Sequence, residues 1–451
     1  MPVKRPTSEH AQNDDARVRP DFVPADRYRG EDVFKLEKER LWPHVWQVVC
    51  RVEELAEVGE YVRYDICDEP LIVVRSSASE IKAFYNVCQH RGRRLVDKEK
   101  GSINGFFCRF HGWKWSLDGS LVDVPHREKW SECSEFADEE LALPQPQCSE
   151  WGGWVWINLD PEAEPLVDFL GEAARVLDPF DLADLRRAWH VALIAPVNWK
   201  VVVEAFNEGY HAGTTHISCL EYLKMTSPVT AYGPHAMYHT IFGDRARAKR
   251  EDGSWKETES PAELIYYQSL ELYTRLEALV MEPQMKAIAR VYEEMKDAPA
   301  EDVYQRIWDL HKEELEATGA QWPPRLTPEQ AAAAGTSWQI FPNTIMFPVV
   351  DGVLWYRMRP DARDADQCIF DIWCLRRYAV GQEPAVETQV FDGFEAARGV
   401  NPFLEEDFAN MIAVNAGMKS RGWRGARTNP EEELTVSHFH RHLAEYLSPS
   451  G

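Results

Sequence analysis

The chain has 451 residues, 44% hydrophobic and 27% charged, a globular balance with enough apolar mass for two or three domains. Lys and Arg number 50 against 74 Asp and Glu, a net charge of -24. That excludes the basic face that nucleic acid or an anionic membrane would need, and leaves an acidic surface suited to a basic protein partner. No run approaches the roughly 18 apolar residues of a membrane helix. Met1 to Pro20 lacks the apolar stretch of a secretory signal, so a soluble cytoplasmic protein is expected. Nine scattered cysteines do not read as a disulfide framework.

Residues 1 to about 20 read as a loose arm. Glu31–Leu41 has helical spacing, with Val33, Leu36 and Leu41 on one side. From Trp42 to about Asp160 short apolar runs alternate with turn signals: VWQVVC, EYVRYDI, PLIVVR, IKAFYNV, GFFCRF and WVWINL. This texture predicts a small all-β domain. Asp118-Gly119 predicts a hairpin turn, because that pair tolerates positive φ. Beyond Asp160 the pattern is mixed: a helix over Leu166–Leu177, a strand over Trp189–Pro196, and a helix over Lys200–His211. Residues 262–318 read as helical; WQIFPNTIMFPVV, VLWYRMRP and CIFDIWCLRRYA read as three strands; Asn401–Met418 returns to helix, with Pro402 near its first turn.

Two tight Cys-His pairs stand on loops in the β-rich region. Cys88-x-His90 follows IKAFYNV, and 17 residues separate His90 from Cys108-x-x-His111, enough for a hairpin to bring the loops together. Two thiolates and two imidazoles fit a structural zinc ion, or a cluster in which two cysteines hold one iron and two histidines the other, or coincidence. The flanks CQHRG and CxxHGWxW favour the cluster, with Gly92 and Gly112 letting backbone amides approach its sulfurs. Trp113 and Trp115 read as core packing, and Cys50, Cys67, Cys133, Cys148, Cys219, Cys368 and Cys374 as buried thiols.

A second constellation lies in NWKVVVEAFNEGYHAGTTH, Asn198 to His216. Glu208 and His211 share a face of a helix, with Glu204 a turn further back; His216, five residues past His211, reaches the same side only if the helix ends or distorts near Gly213. Two His and one carboxylate on one side of an iron leave positions open for O2. Ordinary capping or surface histidines are the competing reading. The third ligand is expected in LEEDFANM, where Glu405 and Glu406 read as acids complementing a helix dipole.

These residues resemble the large (alpha) subunit of the Rieske non-haem iron ring-hydroxylating oxygenases, the naphthalene dioxygenase family, from about Phe22 to about Gly422. The resemblance implies that Cys88, His90, Cys108 and His111 hold a Rieske [2Fe–2S] cluster. It also implies that His211, His216 and Asp407, placed by the pattern D-x-x-N-M, hold a mononuclear Fe(II). Glu208, at the position of the family's bridging acid, is expected to face His111 of the partner subunit, and WQIFPNTIMF resembles the strand beside the iron. The chain departs from the family at Ala205, where an asparagine is common, at Glu208, where Asp is usual, at Phe403 in place of Trp, and in the length of 262–318.

The implied fold is α+β: a small all-β Rieske domain and a larger catalytic domain with an antiparallel sheet covered by helices, of helix-grip type. The implied boundaries are 1–41 for an arm and helix on the catalytic domain, 42–162 for the Rieske domain and 163–451 for the catalytic domain. The implied activity inserts one or two atoms of O2 into an apolar, aromatic compound. Phe206, Ile217, Leu220, Phe341, Ile345, Phe347 and Phe403 are candidates for its pocket. With no G-x-G-x-x-G after a strand, NAD(P)H must act through a separate flavin reductase, a ferredoxin or both. The bridge implies a homotrimer, with or without a beta subunit. Oxidative O- or N-demethylation and quaternary-ammonium hydroxylation are the alternatives within the family; an electron-transfer or zinc protein is the alternative outside it.

Overall fold

The computed structural model describes residues 18–134, 136–216, 220–222, 225–242, 246–249 and 254–448; of residues 220–222, 242, 246–249, 255 and 256 only the backbone is described. The expected loose arm therefore lies almost wholly outside the described residues. The chain divides into two compact units, Leu36–Phe169 and a larger one formed by Leu170–Gly451 with the residues up to Lys35.

The smaller unit is built from ten short strands: β1 Gln47–Arg51, β2 Glu60–Ile66, β3 Glu69–Ser77, β4 Glu80–Tyr85, β5 Lys100–Ser102, β6 Phe106–Phe107, β7 Lys114–Trp115, β8 Leu121–Asp123, β9 Gln147–Trp151 and β10 Trp154–Asn158. They form three antiparallel sheets, in the orders β4-β3-β2-β5, β6-β7-β8 and β9-β10-β1. Central strand β3 is apolar through Leu71–Val74, all fully buried, as a strand covered on both faces must be. The β7–β8 turn is the one expected at Asp118-Gly119: Gly119 has φ +88°, and the Asp118 carboxylate accepts the Ser120 N–H at 2.9 Å. A Cβ on Gly119 would lie 2.3 Å from the Phe84 ring, so both conformation and space require glycine here. Phe84, Trp113 and Trp115 anchor the core beneath the two Cys-His loops.

The larger unit is organised on an eight-stranded sheet of β11 Arg186–Ala195, β12 Val229–Tyr232, β13 His235–Tyr238, β14 Ser337–Ile340, β15 Thr344–Val349, β16 Gly352–Pro360, β17 Cys368–Arg376 and β18 Thr388–Phe391. The order is β12-β13-β14-β15-β16-β17-β11-β18, antiparallel except for the parallel edge pair β11–β18. Strand β16 is buried on both faces: Leu354 and Tyr356 point to one side, Trp355 and Arg357 to the other. Helix α1 (Trp199–Phe206) packs on β15, β16 and β17, with the Phe206 ring 4.7 Å from that of Tyr356. Around it are the turn α2 (Ala212–Thr215), helices α3 (Pro261–Arg275), α4 (Glu282–Glu294) and α5 (Ala300–Ala317), then α6 (Glu405–Met418) and α7 (Leu434–Leu447). Among the described residues no helix is long and apolar enough to cross a membrane.

Three expectations need correction. WQIFPNTIMFPVV is two strands, β14 and β15, because Pro342 has no N–H to continue a ladder, so the run turns at Phe341–Asn343. The helix over Glu31–Leu41 is α only to Leu36 and widens to π winding over Glu37–Leu41. The helix expected to run from Lys200 to His211 stops at Phe206, with consequences for the site below.

Candidate metal centres

The two Cys-His loops repeat one backbone pattern. The Cys88 N–H donates to Arg93 O and the Gly92 N–H to Cys88 O, each at 2.9 Å; the Cys108 N–H donates to Trp113 O and the Gly112 N–H to Cys108 O, again at 2.9 Å. Gly92 and Gly112 take positive φ, +74° and +82°, which closes each loop and requires glycine. Both thiols are buried and neighbour each other, and the His90 and His111 rings meet edge to face at 4.6 Å. Burial, then the neighbouring Cys108, pushes the Cys88 thiol up, so its thiolate needs a cation to persist.

The donors are thus paired two and two. Among the described residues they do not form a group converging on one point, as a single zinc ion would demand; the group that does is elsewhere. His90 Nδ1 is buried with no hydrogen-bond partner, an orphan that a metal bond would satisfy. The arrangement fits a [2Fe–2S] cluster with two sulfur and two nitrogen ligands. Trp113 is more than core packing: it stacks flat on His90 at 5.0 Å, interplanar angle 5°. Trp115 is core as expected, its indole N–H donating to Leu141 O at 2.8 Å.

The second centre depends on where α1 ends. The Asn198 side chain caps its start, accepting the Lys200 N–H at 3.0 Å. The chain leaves the helix after Phe206 because Gly209 must pass close to β13: a Cβ there would lie 2.3 Å from Ser227 Oγ and 3.2 Å from the Tyr238 ring. The break therefore comes before His211, not near Gly213. Gly209→Ala is expected to destabilise the protein by about 1–3 kcal/mol through this overpacking and to lower metal content with it; denaturation and metal analysis measure both.

One turn, α2, then carries the chain from His211 to His216. Both Nε2 atoms face the buried Asp407: His211 Nε2 is 3.5 Å and His216 Nε2 3.3 Å from Asp407 Oδ1. The three donors lie within 4.8 Å of one another. On the other side of each ring a carboxylate fixes Nδ1. Glu208 Oε1 is 2.6 Å from His211 Nδ1, and Glu208 Oε2 accepts the His211 N–H at 3.1 Å. Glu406 Oε2 is 2.8 Å from His216 Nδ1. Carboxylate–histidine pairs of this kind fix the tautomer and turn Nε2 toward a metal. Burial opposes a charge on His211, yet the hydrogen bond and charge of Glu208, with Asp407 behind, hold its pKa raised; a metal would take the place of that proton. The donor set of two imidazoles and one carboxylate fits a ferrous ion.

Glu406 is the residue whose part the sequence reading missed. Its position in the first turn of an acidic helix start pointed to dipole compensation, and only the fold brings it to His216. Glu405 accepts the Gly399 N–H instead. Phe403 stacks on His216 at 4.2 Å. Glu204 is held by His440 Nε2 at 2.6 Å and by the Tyr28 hydroxyl, which donates at 3.1 Å.

A cavity of about 200 Å³ opens onto His211, His216 and Asp407. Phe206, Phe347 and Phe403 line it as expected, joined by Leu272, Leu354 and Tyr356. Phe341 and Ile345 do not line it: both are fully buried, and Phe341 stacks on Tyr446 at 5.7 Å. The side chains of Ile217 and Leu220 lie outside the described residues. A second cavity of about 240 Å³ reaches His211 and Asp407 as well, and is lined by Glu204, Glu208 and Glu433.

Comparison with known proteins matches both parts of the chain. Residues 180–449 match the ring hydroxylating alpha subunit (catalytic domain) family, and residues 45–143 match the Rieske [2Fe-2S] domain. The carnitine monooxygenase oxygenase subunit of Escherichia coli K12 is 34% identical over 196 residues, 43% of this chain and 52% of that protein. The benzene 1,2-dioxygenase alpha subunit of Pseudomonas putida is 31% identical over 218 residues, 47% and 46% of the two chains. The chain thus spans about half the length of the curated relatives it matches. Among solved structures, a quaternary ammonium Rieske monooxygenase with L-carnitine has a TM-score of 0.62 at 20% identity, covering 95% of this chain and 97% of that one. A Rhodococcus naphthalene 1,2-dioxygenase bound to indole has 0.60 at 20%, covering 94% of both. The likeness in fold and the two matched domains lead to one conclusion: the chain belongs to the family of ring-hydroxylating oxygenase alpha subunits, with a Rieske [2Fe–2S] domain ahead of an iron-dependent catalytic domain.

Proposed function

We propose that this chain is an oxygenase component that inserts one or two atoms of O2 into an apolar ring compound, using electrons from a separate NAD(P)H-dependent reductase with or without a ferredoxin. The observation that carries the reading is the cluster of two histidines and one aspartate opening directly onto a cavity walled by aromatic and aliphatic side chains. In it Cys88, His90, Cys108 and His111 hold the cluster, and His211, His216 and Asp407 hold iron. When bound, the iron supplies the centre at which O2 is activated. The chain does the rest. Phe206, Phe347 and Tyr356 exclude water and seat a flat substrate, Phe403 fixes the plane of His216, and Glu208 and Glu406 keep both Nδ1 atoms occupied so that both Nε2 atoms face inward.

Glu208 lines the second cavity rather than the apolar one, which supports a role in contact with His111 of the partner subunit and hence a homotrimer, with or without a beta subunit. On this reading Glu208→Gln lowers turnover about 10–100-fold, the usual cost of losing such a partner, even with the mononuclear site kept loaded by excess Fe(II). Unchanged turnover at full iron content would count against it. The acidic surface suits a basic electron donor, and dependence on NAD(P)H suits a cytoplasmic location.

One feature favours a second substrate class, quaternary ammonium compounds: the wall carries the Glu271 carboxylate beside aromatic rings that attract cations, and several relatives are named for such substrates. Substrate-dependent O2 uptake with purified protein, a ferredoxin–reductase pair and NADH decides between them. Uptake with neutral ring compounds and none with carnitine supports the first reading. The reverse supports the second, and uptake with neither class, at full iron and cluster content, overturns both.

A further inference from the structure

Helix α3 belongs to the 262–318 region, whose length exceeds what the family resemblance leads one to expect. In the fold, Gln268, Glu271 and Leu272 of α3 line the apolar cavity. The last residue of the same helix, Arg275, reaches past them. One arm of its guanidinium, Nη1, bonds the Glu271 carboxylate; the other, Nη2, donates to Glu406 Oε1 at 3.0 Å and to Pro402 O at 3.0 Å. Glu406 uses its remaining oxygen on His216 Nδ1 at 2.8 Å. A continuous line of charged hydrogen bonds therefore runs Glu271–Arg275–Glu406–His216, from the cavity wall to a metal-binding ring. All four side chains are three-quarters or more covered, which strengthens charge-assisted bonds relative to those at an open surface.

We propose that Arg275 is a positioning residue that couples the wall of the substrate cavity to the metal centre. Its planar fork holds Glu271 and Glu406 in fixed relation, so whatever displaces Glu271 also alters the hold of Glu406 on His216. A substrate group that hydrogen-bonds or ion-pairs with Glu271 would pull on that line, giving the site a means of sensing occupancy. Lysine cannot replace this function fully, because its single ammonium cannot grip two carboxylates in a plane. The inference rests on the proposed role of His211, His216 and Asp407 as metal ligands.

The test uses the full chain with its cluster intact and its mononuclear site loaded with Co(II), whose visible absorption reports ligand geometry. Arg275→Ala is expected to weaken Co(II) binding about 10–100-fold and to change the cobalt spectrum, while Arg275→Lys falls between it and the parent. Glu271→Gln alone should shift Co(II) affinity about 2–5-fold, and should shift it no further in an Arg275→Ala background, because coupled residues do not add. Cluster absorption and far-UV circular dichroism confirm that each variant is folded. Parent-like affinity and spectrum in Arg275→Ala, or additive effects in the double variant, would overturn the proposal. Failure of the parent protein to bind Co(II) at His211, His216 and Asp407 would instead overturn the reading beneath it.

Discussion

Replacing His211 by alanine is expected to empty the mononuclear site and reduce product formation to background, with the visible absorption of the cluster unchanged. His211 supplies one of three donors converging within 4.8 Å, and no other His, Cys, Asp or Glu among the described residues joins that group. Two remaining donors hold a divalent ion far less firmly than three, and Glu208, 7% exposed, loses its ring partner and keeps only the backbone N–H of residue 211. Cys88, His90, Cys108 and His111 lie in the other compact unit. Iron analysis, absorption spectroscopy and product assay on one preparation make the measurement. Simultaneous loss of cluster and iron would mean that the two centres are not independent. Glu406→Gln should give a milder version, about a 10–100-fold loss of metal affinity, because the ring of His216 stays but its orientation slackens.

Much of the candidate site was legible because its proposed ligands come in local groups. Cys88-x-His90 and Cys108-x-x-His111 carry their own turn chemistry, with a glycine four residues after each cysteine, so motif and loop geometry are encoded together. His211 and His216 are likewise close in sequence. Asp407 is 191 residues beyond His216, and only the family pattern D-x-x-N-M pointed to it; no periodicity could have done so. Glu406 and Arg275 escaped for the same reason. Their roles arise from side chains meeting across elements far apart in the chain, and each has an ordinary local explanation that sequence alone prefers.

The fold followed a similar division. Alternating apolar runs bounded by turns located most strands of the smaller unit, because a half-buried strand writes its period into the sequence. The end of α1 was misplaced because apolar spacing continues through Phe206 without any helix-breaking residue before Gly209. The break is imposed by the close passage of Gly209 against Ser227 and Tyr238, a tertiary contact. The same limit hid Trp113: aromatic content predicts burial, and it does not say which ring will lie flat on His90.

The largest effect on stability is expected at Asp371, which belongs to neither set of metal-ligand candidates. Strands β16 and β17 place Arg357 directly opposite Asp371, and β11 adds His190 from the other side. Arg357 donates to Asp371 Oδ2 through Nε at 3.0 Å and Nη2 at 2.7 Å, Arg359 approaches the same oxygen at 3.4 Å, and His190 Nε2 lies 3.1 Å from Oδ1. Burial alone would raise the pKa of this carboxyl; Arg357, then Arg359 and His190, reverse that and hold it far below the usual carboxylate range. The network lies on the face of β16 opposite Leu354 and Tyr356, so it stiffens the sheet from behind while the front face lines the cavity. Asp371→Asn keeps the shape but takes the carboxylate charge away from the Arg357 guanidinium, 4% exposed. Removing one member of a buried pair costs about 3–5 kcal/mol, read as a lower denaturation midpoint with an unchanged slope. Combining Arg357→Met with Asp371→Leu should lose less than Asp371→Asn, since the most buried guanidinium of the network is then removed together with its carboxylate. The pH dependence has a definite sign. A carboxyl whose folded pKa is depressed contributes its full stabilisation above the unfolded value of about 3.9, and loses it as pH falls toward the folded one. The gap in stability between the parent and Asp371→Asn should therefore be flat from about pH 5 to 8 and narrow only below about pH 4. A gap that closes on the alkaline side instead would show that the ionised carboxylate is not what holds the strands.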